Sequence, residues 1–279
     1  NRSNASSEVE FRGLEARIIG EEGRGIATIL EMAHLTRLEC ALGSAGQMRQ
    51  AVRLALHHAC HRSAFGHSLV EQPAMANVLA ELALESEAAT WLAMRAAAAL
   101  DAYSRDEGER FLSRILAPLA KYWVCKRAPV VIAEALECHG GNGFIEEHDI
   151  ARLYRDAPLN GLWEGSGNVI CLDVMRALAR TPESAALLRA EIAAAKGAHP
   201  ALDAWLAASL PTADERNARH LTEELALALA ASLLLRYAPA EIAAVFCSTR
   251  LQRQGGYGLG TLPESVDLGS IIARNKKRD

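Results

Sequence analysis

Apolar side chains recur at helical spacing over three long stretches of this sequence. Between about residues 25 and 61 they return every three or four positions, interrupted only at Gly43 and Gly46, where small side chains more often permit close packing than end a helix. Two further stretches rich in Ala and Leu cover about 73–100 and 109–136. Because the connections between them are short, we expect three long antiparallel helices that form part of a bundle.

A connection rich in glycine follows these helices at residues 138–168, with the sequence CHGGNGFIEEHDIARLYRDAPLNGLWEGSGN. Loops of this length inside a compact domain are usually functional or disordered. The Phe, Ile, Leu, Tyr and Trp residues of this one are too apolar for a disordered segment. The pattern therefore predicts an ordered and packed loop, followed by another helix from about 167 to 180.

The two ends of the chain differ in character from the bundle. Beyond residue 182, shorter Ala/Leu helices are broken at prolines, and the stretch from GGYGLG to the final RNKKRD is typical of irregular structure. At the other end, the alternation of Val9 and Phe11 favours a short strand. We therefore expect an all-α chain with a bundle at 23–181, an extra helical segment at 182–279 and a β remnant at 1–22.

Composition narrows the possible classes of function. The chain has 279 residues, of which 50% are hydrophobic, and its net charge of −4 gives no indication of a nucleic-acid or membrane partner. Its six cysteines are scattered, without a CxxC pair or a Cys/His cluster. This usage favours a reducing compartment, the cytoplasm, and argues against a structural metal. The apolar runs are too short to span a bilayer.

Three short motifs each have an ordinary structural explanation. RSAFGHSLVEQP, at 62–73, fits the end of a helix with an arginine near its negative end, followed by a turn. HGGNGF, at 139–144, allows close approach of backbone to a ligand, but it is not the glycine pattern of a dinucleotide-binding fold. WEGSGN, at 163–168, places Ser166 and Asn168 where helix caps belong, although a helix N-terminus also suits an anionic or polar ligand.

Glu164 has two competing interpretations. It lies between a tryptophan and a glycine at a predicted loop-to-helix junction. In the first interpretation, it is an acid that complements the positive end of the helix that follows. In the second, it is a general base held in an apolar pocket.

The motifs TRLECALGSAGQ, RSAFG…EQP, HGGNGF and RLYRDAPLNGLWEGSGN, in this order and spacing, resemble the C-terminal helical domain of the acyl-CoA dehydrogenase flavoproteins. The residues of the last motif, with the extra segment after it, resemble more narrowly the AidB branch of adaptive DNA-alkylation-response flavoproteins. The resemblance covers nearly the whole chain and implies FAD as cofactor, dehydrogenation of an acyl-CoA and a homotetramer. It also implies that the N-terminal helical domain and most of the β-domain lie outside this chain, so we expect the chain alone to bind FAD poorly.

The resemblance assigns cofactor-binding roles to eight residues. Arg62 and Phe65 match the family pair that holds the ADP half of FAD across a subunit interface, and an arginine suits a pyrophosphate because its planar fork donates two hydrogen bonds. Gly140 and Gly141 match a glycine turn beside the flavin of a neighbouring subunit. The remaining candidates lie in the same matched stretches: Gln72, Trp163, Ser166 and Asn168.

The glycine turn departs from the family pattern at two positions. Many members carry Gln where Glu137 stands and an aromatic residue where His139 stands. Because a carboxylate facing the ADP moiety is unfavourable, we do not expect Glu137 to contact FAD.

The same resemblance identifies Glu164 as the catalytic base. Most members take the base from the Glu of a YEG triplet, and the triplet here is WEG. A minority place it on the long helix, at the position of Thr36, which cannot act as a carboxylate base. Glu39 lies three residues further along the helix, not at the matching position. The chemistry requires a base that removes the α-proton while the flavin accepts the β-hydride.

A different class of function stays open for the extra segment. In the resembled branch, the part after about Glu183 binds double-stranded DNA, so 183–279 is a candidate DNA-binding segment with Arg250 and Arg253 as phosphate contacts. Its basic residues are nearly balanced by acidic ones, and the RNKKRD tail is equally consistent with a solvated end. The protein would then be a damage-response flavoprotein with little or no dehydrogenase activity. A purely structural bundle would leave the packed glycine loop unexplained.

Overall fold

Three long helices form the centre of the computed structural model, which describes residues 7–208 and 214–276. They are α1 (Gly25–His61), α2 (Pro73–Ala102) and α3 (Glu107–Glu137). Each covers a stretch that the apolar periodicity predicts, and each packs against the other two. The contacts are made mainly by buried alanine and leucine side chains, whose small size or compact branching lets long helices pack closely.

The starts of α2 and α3 follow from local sequence. Pro73 is the first residue of α2, where its fixed φ suits the helix and its missing N–H has no intrahelical partner to lose. Asp106 caps α3, because its side chain accepts a hydrogen bond of 3.1 Å from the backbone N–H of Glu109. The cap at Asp106 ends a connection of four residues, 103–106, between α2 and α3.

The glycine-rich connection is largely helical, which corrects the loop expected there. It contains α4 (Gly141–Phe144), a single turn, and α5 (Asp149–Asn160). In α5, Ile150 and Ala157 are buried and Leu153 packs on the same core, so the apolar residues have the spacing of three and four that a helix requires. The surrounding glycines conceal this short period in the sequence.

The C-terminal helices continue the core of the bundle. Helix α6 (Gly167–Arg180) begins and ends where the sequence predicts, and only Thr181 separates it from the next helix. The remaining helices are α7 (Pro182–Ala193), α8 (Pro200–Ala207), α9 (Ala218–Tyr237), α10 (Ala240–Phe246) and α11 (Leu268–Asn275). Because α7 and α9 pack on α3, buried side chains continue across the boundary predicted near residue 181.

Strand structure in the described residues is confined to a short hairpin, β1 (Ser63–Ala64) paired antiparallel with β2 (His67–Ser68). Residues 7–24 form no strand, which corrects the short strand expected at Val9 and Phe11, while the assignment of 1–22 to a β-domain remnant stays a prediction. A strand needs a neighbour for its backbone hydrogen bonds, and none of the described segments pairs with this one. Residues 1–6, the helix break at Pro211 and the end of the RNKKRD tail lie outside the described residues.

The helices of the described ranges also differ from membrane spans. None of them combines enough length with enough apolar character to cross a bilayer. Each of the long ones carries several charged side chains, among them the buried Glu81, Glu85 and Glu87 of α2.

Candidate functional site

Glu164 lies in the short loop, residues 161–166, that joins α5 to α6. Its φ is 57°, in the left-handed region that non-glycine residues rarely adopt, and Gly165 follows with a φ of 111°. Such a backbone conformation costs on the order of 1–3 kcal/mol and persists only when its surroundings enforce it. The loop at Glu164 is therefore held in its conformation by contacts from the rest of the bundle.

Two cations hold this loop by its backbone. Nε of Arg37, on α1, donates to the carbonyl oxygen of Glu164 at 3.1 Å. Nζ of Lys121, on α3, donates to the carbonyl oxygen of Gly165 and, at 3.4 Å, to that of Gly161. Lys121 is only 1% exposed, so it is committed to this interaction. Together, Arg37 and Lys121 fix the backbone on both sides of the Glu164 side chain.

Arg37 is itself oriented by a buried carboxylate on α6. Its Nη1 donates to Oδ2 of Asp173 at 2.9 Å, and Arg114 of α3 donates to both oxygens of the same carboxylate. Burial raises the pKa of Asp173, but the hydrogen bonds and charge of Arg114 and then Arg37 outweigh burial and hold this pKa below 3.8. Asp173 is therefore ionised at neutral pH and links α1, α3 and α6 around the loop.

Burial and nearby acidic groups act in opposite directions on the pKa of Lys121. Burial lowers its pKa below 10.5, while the thiols of Cys125 and Cys40 and the carboxylate of Glu164 oppose that effect. Burial also raises the pKa of Cys125 to about 11, so this thiol is neutral at physiological pH. Cys125 therefore adds no negative charge beside Lys121 at physiological pH.

The carboxylate of Glu164 is available for chemistry. Its side chain is half-buried and forms no hydrogen bond or ion pair with any residue in the described part of the chain. Trp163 beside it is 42% exposed, so the apolar pocket expected around the carboxylate is open on this side. Thr36, the alternative position for a base, is occupied by hydrogen bonds to the backbone of its own helix. A fixed backbone with an unpaired carboxylate is the arrangement that a general base requires.

The helix N-terminus next to Glu164 corrects one sequence interpretation. Ser166 stands at the N-cap position of α6, but its side chain makes no capping hydrogen bond. Ser166 and Asn168 are both exposed. The first backbone N–H groups of α6 therefore lack a side-chain acceptor within the described residues, and they offer donors to a polar ligand.

A second group of candidate residues surrounds a cavity of about 440 Å³. Arg62, after α1, and the turn at Gly140 and Gly141, after α3, meet at this cavity. Gly140 has a φ of 59°, and a side chain added at either glycine would point into open space. Arg62 is exposed, and its guanidinium has no hydrogen-bond or ion-pair partner among the described residues. The structure thus brings together the arginine that the resemblance assigns to the ADP half of FAD and the glycine turn that the resemblance places beside a flavin.

Phe65, in the turn of the hairpin, and Gln72, directly before α2, differ in their availability. Phe65 is 97% exposed, with a φ of 53°, so the hairpin presents its ring to solvent. Nε2 of Gln72 donates to the carbonyl oxygen of Ala64 at 3.1 Å. Gln72 therefore stabilises the hairpin, and its amide nitrogen is already committed within the chain.

The candidate DNA contacts need a correction at Arg250. Its guanidinium is 13% exposed and donates to Glu81 and Glu85 of α2, each at 2.7 Å. A phosphate contact would leave these two buried carboxylates unpaired, so we withdraw Arg250 from the DNA-binding candidates. Arg253 is 65% exposed and pairs with Glu224. DNA binding through 183–279 stays a prediction, with fewer free cations than the sequence suggests.

Sequence reasoning missed the residues that act on the loop. Arg37 stands in the TRLECA motif, but it was not distinguished from an ordinary surface arginine. Lys121 does leave a signal, since it is the one charge in the otherwise uncharged run ILAPLAKYWV at 115–124. A lone cation in an apolar turn of a buried helix calls for buried acceptors. The sequence could not show that those acceptors are backbone carbonyls of the loop that carries Glu164.

Comparisons with known proteins agree with this architecture. Residues 23–179 match the family described as the C-terminal domain of acyl-CoA dehydrogenases. The chain is 41% identical to AidB of Escherichia coli (strain K12) over 262 residues, which are 93% of this chain and 48% of AidB. The chain therefore spans about half the length of this curated relative.

Two solved structures show the same fold. One is ACDH-11 of Caenorhabditis elegans in complex with C11-CoA, with a TM-score of 0.76 and 24% identity over 84% of this chain and 46% of that one. The other is an acyl-CoA dehydrogenase of Bacillus anthracis complexed with FAD, with a TM-score of 0.66 and 17% identity over 93% of this chain and 55% of that one. At these identities, the likeness supports the fold alone.

Proposed function

The chain belongs to the acyl-CoA dehydrogenase family, whose cofactor is FAD, and from that premise we propose that it forms the helical part of a dehydrogenase site in which Glu164 removes a proton from an acyl-CoA. The reaction class is α,β-dehydrogenation. Bound FAD supplies the acceptor for the hydride that leaves the β-carbon.

The proposal rests on the contrast between the backbone and the side chain of Glu164. Glu164 has a strained backbone that Arg37 and Lys121 hold from two helices, while its carboxylate is left without a partner in the described residues. A structural acid would be expected to use its carboxylate in a hydrogen bond or ion pair. Here the backbone is bound and the carboxylate is not, which favours a chemical role for the carboxylate.

The residues present fit FAD at two places. Arg62 and the Gly140–Gly141 turn can hold the diphosphate, because the arginine has no partner in the described chain and the glycines leave room for close approach. Ser166, Asn168 and the free N–H groups of α6 can hold polar atoms of the flavin half. Trp163 and Phe65 add exposed aromatic surface beside these polar groups.

Several residues of the chain have different roles in the proposed proton transfer. Glu164 accepts the α-proton at its carboxylate. Arg37 and Lys121 hold the backbone from which the carboxylate extends, and Asp173 keeps Arg37 in place. Holding the base in one geometry lowers the entropic part of the barrier. The surroundings of the carboxylate are open at Trp163, and a bound acyl chain would exclude water there.

The test is the substitution Glu164→Gln in flavin-bound protein of the relatives' full length. The amide keeps the shape of the side chain but cannot accept the proton, and loss of a general base typically costs about 10²–10⁴-fold in rate. We expect bleaching of the flavin absorbance by acyl-CoA to slow by at least this factor, with FAD content unchanged. Glu39→Gln, an exposed carboxylate on α1, is the matched control and should behave as the wild type.

The alternative role of Glu164 gives the opposite result. An acid near the positive end of α6 contributes about 0.3–1 kcal/mol to stability and nothing to the chemistry. Unaltered bleaching with a lowered thermal midpoint in the Gln variant would show that Glu164 is such an acid and would refute its assignment as the base.

A further inference from the structure

His58 lies in the cavity that contains Arg62 and the glycine turn, and the proposed function gives it no role. Its ring is 4.8 Å from that of His139, centroid to centroid, with an angle of 31° between the planes. Both rings line the cavity of about 440 Å³ together with Gly140. Two imidazoles and a guanidinium without a partner in the described chain therefore surround one open space.

The two histidines differ in the availability of their ring nitrogens. Nδ1 of His139 is 2.8 Å from the carbonyl oxygen of Ala135, and the His139 ring also reaches the backbone carbonyl of Leu54. His139 thus bridges α1 and α3. His58 is half-buried and its ring makes no hydrogen bond with any residue of the described ranges, so its ring nitrogens are the ones free to contact a ligand.

The charges that act on His58 are all basic. Burial lowers its pKa below 6.5, and the other contributions act in the same direction: His139 from the C-terminal end of α3, Arg62 after α1, His148 before α5 and His57 on its own helix. The thiol of Cys138 also lines the cavity, but burial raises its pKa to about 12, so it carries no charge there. His58 is therefore neutral at physiological pH in the free protein, for want of a nearby negative charge.

We propose that His58 is an anion-contacting residue of this cavity and that it takes up a proton when a diphosphate binds beside Arg62. The negative ligand supplies the charge that the cavity lacks, and an opposite charge within hydrogen-bond reach favours the protonated imidazole. The same proton gives the ring a second donor for the phosphate oxygens. Binding of the anion consequently tightens as pH falls. The inference rests on the proposed function only in taking a diphosphate as the anion.

The test uses ADP-ribose, whose diphosphate carries no ionisation between pH 5 and pH 8, so a pH dependence of binding must come from the protein. We expect its affinity for the 279-residue chain, measured by titration calorimetry, to rise severalfold from pH 7.5 to pH 5.5, towards the limit of about tenfold that a ligand-induced pKa change of about one unit sets. His58→Gln should give the same affinity at both values. His57→Gln, a neighbouring exposed histidine, is the matched control and should keep the rise.

An NMR measurement on the wild-type chain keeps the proposal testable even if the His58→Gln variant is unstable. In the wild-type chain, the titration midpoint of the His58 imidazole, followed by NMR, should move to higher pH when ADP-ribose is added. Equal affinities at the two pH values, a rise that persists in His58→Gln, an unmoved midpoint or failure to bind at pH 5.5 would each overturn the proposal. None of these measurements involves flavin chemistry or Glu164, so their failure is distinguishable from failure of the dehydrogenase proposal.

Discussion

At the scale of single residues, Glu164 and Lys121 show what the sequence can and cannot predict. The WEG triplet singles out Glu164 because a carboxylate between an aromatic residue and a glycine is recognisable in the sequence alone. Its left-handed backbone and the cations that hold it arise from contacts between residues 40 or more positions apart. No local pattern encodes such contacts, so the support of the candidate base could only be found in the structure.

Lys121→Met gives a prediction for that support. The variant keeps most of the side-chain volume but leaves the carbonyls of Gly161 and Gly165 without their donor, which costs about 1–3 kcal/mol. We expect a lower urea midpoint and, in flavin-bound protein, slower bleaching by acyl-CoA with unchanged FAD content. Lys126→Met, on an exposed position of the same helix, should change neither. Normal stability and bleaching in Lys121→Met would mean that the loop keeps its conformation without this lysine.

At the scale of elements, the acidic residues of α2 hold the C-terminal segment in place. Glu81 accepts hydrogen bonds from Arg250 and from the backbone N–H groups of Gly260 and Thr261. Glu85 accepts from Arg127 and Arg250. Further along α2, Glu87 pairs with Arg274 of α11. Through these pairs, Arg250 and Arg274, two of the arginines after residue 183, stabilise the fold.

Arg250→Ala and Arg253→Ala should therefore differ sharply. Removing Arg250 leaves Glu81 and Glu85 buried without one of their partners, and breaking such a pair costs about 3–5 kcal/mol. Removing Arg253 breaks a mostly exposed pair and costs about 0–1 kcal/mol. Urea unfolding of the two variants measures both values. Similar small losses in the two would contradict the structural role of Arg250.

The helices themselves were predictable where their periodicity is long. Helices α1, α2, α3 and α6 follow from apolar spacing and from local start signals such as Pro73 and Asp106. Helix α5 was missed because it has only 12 residues, contains Pro158 and lies between glycines. Its helical state depends on packing against α1 and α3, a tertiary effect that outweighs local propensity.

At the scale of the whole molecule, buried ion pairs tie the helices into one core and make its stability depend on pH. The pKa of Asp173 is held below 3.8, and those of Glu85 and Glu191 below 4.5. For each, burial acts to raise the pKa, but the hydrogen bonds and charges of neighbouring arginines outweigh it. A carboxylate with a lowered folded-state pKa contributes stability above its unfolded pKa and loses that contribution as pH falls through the folded value.

Acid should therefore destabilise the fold in two stages. Burial lowers the pKa of His34 below 6.5, so the unfolded chain gains a proton below about pH 6.5 that the folded chain does not. Below about pH 4.5, the three carboxylates add a steeper loss. Urea midpoints of the wild type at pH 7.5, 5.5 and 4.0 should fall in that order. The Asp173→Asn variant should have a lower midpoint than the wild type at pH 7.5, and its midpoint should decline less steeply below pH 4.5. A constant midpoint across this range would contradict the account.

The central claim is that this helical chain provides the base of a flavin-dependent acyl-CoA dehydrogenase, and one absorption measurement tests it most directly. Flavin-bound protein of the relatives' full length is recorded before and after addition of straight and branched short-chain acyl-CoAs. We predict that at least one of them bleaches the oxidised flavin band in the wild type and that none does so at a comparable rate in Glu164→Gln. Absence of bleaching in the wild type with every acyl-CoA, or equal bleaching in both proteins, would contradict the claim.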